Sequence, residues 1–145
     1  MRWYLVPMVW KGVGMAEIDK SEKITINIGL VDLGQIDLLV DEGFYANRTD
    51  FIRTALRRQL ETRSGVVDKT VARRTLTLGS LSYGRRELEE LRASGRMVEL
   101  RVLGLATLSD DVSPELALAT IASVEVLGAF RAQPAVKAAL AERTV

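Results

Sequence analysis

The sequence predicts an α+β protein, in which a strand and two helices precede three strand-helix repeats that build a small parallel sheet. Three observations carry this. "KITINI", Lys23 to Ile28, alternates apolar Ile24, Ile26 and Ile28 with polar Lys23, Thr25 and Asn27, the period of a half-buried strand. Residues 30–63 switch to helical spacing. Further on, three segments each run strand, glycine, polar turn, short helix, and their glycines, Gly79, Gly104 and Gly128, are 25 and 24 residues apart.

The N-terminal elements follow from local chemistry. Leu33, Ile36, Leu39 and Val40 make an apolar face, with Asp32 and Gln35 spaced as a capping box and Gly43 placed to end the helix. Asn47 is a strong N-cap with Asp50 at the third helical position, and the helix it opens carries Phe51, Ile52, Ala55, Leu56 and Leu60 as one stripe. Arg53, Arg57 and Arg58 lie off that stripe and read as a solvated face. The expected organisation is a tail over 1–21, a strand-helix-helix unit over 22–63, a linker over 64–72 and the repeats over 73–145. The apolar start of the tail, residues 1–14, has too short a core for a signal peptide and reads as a flexible or over-extended leader before Met15.

Composition excludes much. With 145 residues, 48% hydrophobic and 27% charged, the chain has the makeup of a folded soluble protein. No apolar run approaches the ~20 residues that cross a bilayer. It has no cysteine and no histidine. Disulfides, the usual zinc, nickel and copper ligands, and histidine-based acid/base catalysis therefore drop out, and no metal site, cofactor or catalytic residue is expected. The carboxylates Glu87, Glu89, Glu90, Asp110 and Asp111 read as solvated surface rather than chemistry, so the chain is not expected to be an enzyme.

A lone strand is unstable, since its backbone groups and its apolar face lack partners. The economical solution is pairing with the same strand of a second chain, as an antiparallel ribbon across a two-fold axis. Ile24, Ile26 and Ile28 would then face a shared core with Phe51, Ile52 and Leu56, and Lys23, Thr25 and Asn27 would face outward. A ribbon of that width fits the DNA major groove, and these side chains carry donors and acceptors for base edges.

Residues 22–61 resemble the ribbon-helix-helix family of DNA-binding proteins (the CopG, Arc and MetJ type), most visibly in the strand alternation and in "GFYANRTDFIRTALR", Gly43 to Arg57. The resemblance implies base contacts from Lys23, Thr25 and Asn27, and a phosphate held by Asn47, Arg48 and Thr49 at the start of the second helix, where free amides and the helix dipole favour an anion. The residues against this are electrostatic. Between Ala16 and Arg63 there are seven Lys or Arg and nine Asp or Glu, whereas DNA-binding units are usually basic. Modest affinity per dimer and binding by several adjacent dimers are the expectation.

In the repeats, Leu76 and Leu78, Leu100 and Val102, and Val124 and Val126 are expected under the helices, which start near Pro114 and Pro134. Thr77, Arg101 and Glu125 are expected on the opposite face, with Arg101 and Glu125 paired. Open sheet edges, enlarged by Leu103, Leu105, Leu127 and Phe130, make this half a candidate for oligomerisation. From Asp68 on, eleven basic residues face ten acidic ones, so it is no DNA-binding arm by charge.

The expected function is that of a cytoplasmic, nucleoid-associated transcriptional regulator, a repressor, binding double-stranded DNA as a homodimer or higher oligomer. The alternative is an antitoxin-like partner-binding module, disfavoured because its C-terminal half reads as folded rather than disordered.

Overall fold

The computed structural model describes residues 20–145; the reading of residues 1–14 lies outside that range. Residues 20–29 form neither helix nor ladder. Six helices and three strands follow: α1 (Leu30–Asp41), α2 (Arg48–Thr62), α3 (Ser64–Arg74), β1 (Thr77–Tyr83), α4 (Arg85–Ala93), β2 (Val98–Leu108), α5 (Pro114–Thr120), β3 (Ile121–Arg131) and α6 (Pro134–Ala139). The predicted strand at 23–28 is not a strand here: no strand among the described residues pairs with it.

Helix α1 covers Leu33, Ile36, Leu39 and Val40, as its spacing predicts. Its start is earlier than expected. Gly29 is the N-cap, its carbonyl accepting from the Leu33 amide at 2.9 Å, so Asp32 sits within the first turn and caps nothing. Gly43, at φ 85°, closes the helix: its amide donates to the Val40 carbonyl and that of Phe44 to the Leu39 carbonyl, both at 3.0 Å. The expected linker is helical, α3 following α2 with a single break at Arg63.

The sheet is parallel, as predicted, and its order is β1-β2-β3. Leu88 of α4, Leu116 and Ala117 of α5, and Val136 of α6 pack with Leu100, Leu108, Ile121 and Val124 into one core. Pro114 and Pro134 each open their helix, where a missing amide costs nothing. Two details of the expected sheet are wrong. The glycines do not end the strands: all three lie within them, paired Gly79 to Gly104 to Gly128. The phase of β1 is also shifted by one. Thr77 pairs with Val102, and Leu78 joins Leu103 and Leu127 in a row on the other face, where Leu78 is 65% exposed. A one-residue slip exchanges the two faces of a strand, and the short apolar run "LTL" fits either phase.

On that second face Arg101 and Glu125 pair at 3.2 Å, as expected, and Arg74 at the end of α3 joins the same carboxylate. Arg131 donates to the Ser21 carbonyl at 3.0 Å and approaches Glu22 at 3.5 Å. Residues 21–22 and the end of α3 are thus each tied to the sheet. A hydrogen bond from Arg74 foremost, opposed by burial and helped by the charge of both arginines and a hydrogen bond from Arg101, holds the Glu125 carboxyl below its ordinary value. A depressed carboxylate stabilises the fold above its ordinary value and loses that contribution as pH falls through its folded value. Denaturant titrations across about pH 5 to 3 should therefore show a steeper loss of stability in the wild type than in Glu125→Gln; equal slopes would exclude this tether.

Candidate nucleic-acid interface

Two stretches brought forward by the sequence meet the solvent. Lys23, Thr25 and Asn27 are exposed, and so are the apolar residues between them, Ile24 at 74% and Ile26 at 60%; Ile28 is half-buried. Of the expected dimer core on α2, Phe51 and Ile52 are half-buried, while Leu56 is 54% exposed. An alternating segment and a helix stripe that both leave apolar residues in water are incomplete as a single chain.

The second stretch is the start of α2. Asn47 has extended backbone and its Oδ1 accepts from the Asp50 amide at 2.8 Å, while the Asp50 carboxylate accepts from the Ala46 amide at 3.0 Å. The first bond of the helix runs from the Phe51 amide to the Asn47 carbonyl, so the Arg48 and Thr49 amides precede the helical ladder. Tyr45 and Phe51 meet edge to face with centroids 5.0 Å apart and fix the turn ahead of the cap.

The Arg48 side chain is already engaged. Its Nε and Nη2 form a fork onto Asp37 of α1 at 2.7 and 2.8 Å. This hydrogen bond, with the attached charge, holds the Asp37 carboxyl below the usual range and raises the guanidinium further. Asp37 was missed because an eleven-residue separation across a helix-turn-helix has no spacing rule. Arg53, Arg57 and Arg58 are exposed, as expected. Among the described residues, no group of His, Cys, Asp and Glu is arranged to hold a metal ion, and no helix is long and apolar enough to cross a membrane.

No curated protein and no solved structure matches this chain. The model of the ribbon-helix-helix transcriptional regulator family does, over residues 19–137, which takes in the N-terminal unit and the repeat region as far as the middle of α6. The residues that read as strand, helix and helix and most of the repeat region that follows them lie within one match, and the chain belongs to the ribbon-helix-helix family of transcriptional regulators.

Proposed function

We propose that this protein represses transcription as a dimer whose two 23–28 segments pair into a ribbon lying in the DNA major groove, with the sheet joining dimers on adjacent sites. The observation that carries the reading is that Ile24 and Ile26, and on α2 Leu56 and Leu60, are all left exposed. Pairing two chains buries this surface and satisfies the strand backbone in one step. Lys23, Thr25 and Asn27 are then the base-reading residues, and the Arg48 and Thr49 amides behind the Asn47 cap are the phosphate-binding ones. Enrichment of a random DNA library on the full chain tests this. Recovery of one palindromic or repeated motif supports it, and an unenriched pool overturns base readout.

The Asp37 fork adds a second test. Arg48 reaches a phosphate only by sharing or leaving Asp37, so the carboxylate competes with DNA. Asp37→Asn should tighten binding on all sequences and steepen its salt dependence by about one phosphate contact, while Arg48→Ala should weaken binding and flatten that slope by a similar amount. Identical slopes in both variants and the wild type would remove Arg48 from the interface.

A further inference from the structure

The chain ahead of the alternating segment stays in contact with the sheet. A groove of about 620 Å³ is lined both by the glycine row, Gly79, Gly104 and Gly128, and by Lys20, Ser21, Glu22 and Ile24. A row of glycines has no side chains to hold a second backbone away, and such a row marks a place where one comes close. Ile24 is the first apolar residue of the alternation, so contact with the sheet reaches the beginning of the proposed ribbon.

Arg131, the last residue of β3, makes this contact specific. Its Nη2 donates to the Ser21 carbonyl at 3.0 Å and lies 3.5 Å from the Glu22 carboxylate. The two interactions differ in weight. The Glu22 side chain is 64% exposed, and an ion pair in that setting contributes little. The bond to Ser21 fixes the backbone itself, two residues before Lys23. Ser21 and Arg131 both have further contacts, so neither is held by this bond alone.

Residues 20–29 form neither helix nor ladder, so pairing two copies of 23–28 must order them. Ordering a backbone costs conformational entropy, and an anchor that fixes its entry in advance lowers that cost. We infer that Arg131 is a positioning residue for DNA reading. From the sheet it holds the chain just ahead of 23–28, so that Ile24 and Ile26 meet the second copy and Lys23, Thr25 and Asn27 meet the base edges. This deepens the ribbon reading proposed above and rests on it. The sheet thereby acts on recognition within each dimer, separately from any joining of dimers.

The test compares full-length wild type with Arg131→Met, Arg131→Lys and Glu22→Gln. Methionine keeps an apolar stem against the strand and removes only the donors. Sedimentation gives the dimer dissociation constant, hydrogen exchange reports on the 23–28 amides, and thermal unfolding checks the fold. A dimer of Arg131→Met loses one anchor per chain, so its dissociation constant should rise by about ten- to a hundredfold, with faster exchange at 23–28. Arg131→Lys, which keeps a charged donor, should recover most of that loss. Glu22→Gln should change the constant by less than about threefold, because the bond to the Ser21 carbonyl remains.

A residue that merely supports β3 would lower the unfolding midpoint in Arg131→Met and leave the constant and the exchange at 23–28 as in the wild type; that pattern overturns the assignment. Tighter dimerisation of Arg131→Met also overturns it, since the contact would then hold the segment away from the ribbon. Failure of the underlying reading looks different. A wild type that stays monomeric at every concentration, with 23–28 exchanging as freely as in Arg131→Met, overturns the ribbon and this role with it.

Discussion

Replacing Thr25 and Asn27 together with alanine is expected to abolish discrimination between the enriched DNA motif and random DNA, while the protein remains a folded dimer. Both side chains are exposed and neither belongs to the apolar set that the dimer buries, so their removal costs the ribbon little. Each well-placed contact to a base edge contributes about 1–3 kcal/mol of discrimination. A dimer presents each residue twice, so the expected loss is on the order of a hundredfold or more in specificity ratio. Non-specific affinity should change far less, because it comes from phosphates and counterion release. Titration of motif and scrambled duplexes at fixed salt measures the ratio. If it is unchanged, sequence is read elsewhere, or through DNA shape, and the outward residues of 23–28 serve solubility alone.

What was legible in the sequence divides by physical cause. Local chemistry could be read directly: the Asn47 cap, the Gly43 stop and the α1 face of Leu33, Ile36, Leu39 and Val40 depend on residues a few positions apart. The parallel sheet was legible from its repeat, and once Gly104 opposes Gly128 the pairing of Arg101 with Glu125 follows. Three things were not legible. Residues 64–72 contain Gly65 and no long apolar stripe, yet they form a helix whose last residue, Arg74, is held by Glu125 from fifty-one residues away. Phe130 and Leu105, expected on an outer contact surface, are drawn inward, Phe130 against the core and Leu105 to 9% exposure. The Asp37–Arg48 fork depends on how two helices cross. Each of these is a tertiary choice that overrides a weak local signal.

The glycine row sets the second large expectation. Gly104→Ala should destabilise the protein by about 3 kcal/mol or more, because a left-handed conformation unsuited to alanine costs about 1–3 kcal/mol and the backbone of β1 must then move away as well. The new methyl would lie 2.0 Å from the Gly79 oxygen, and that atom is backbone inside a paired strand rather than the end of a flexible side chain. For a chain of this length the unfolding midpoint should fall by on the order of 6–12 °C. Gly128→Ala should behave alike, with 2.1 Å to the Gly104 oxygen. Gly79→Ala is the internal control. It has a similar backbone strain at φ 116° but nothing among the described residues within 4 Å, so it should cost the strain alone, about 1–3 kcal/mol. Thermal unfolding of the three variants decides between two accounts of the row. If all three fall equally, the conformation alone matters and the lodged carbonyls are incidental. If Gly79→Ala is clearly milder than the other two, the carbonyls of Gly79 and Gly104 lodged against the next glycine set the cost.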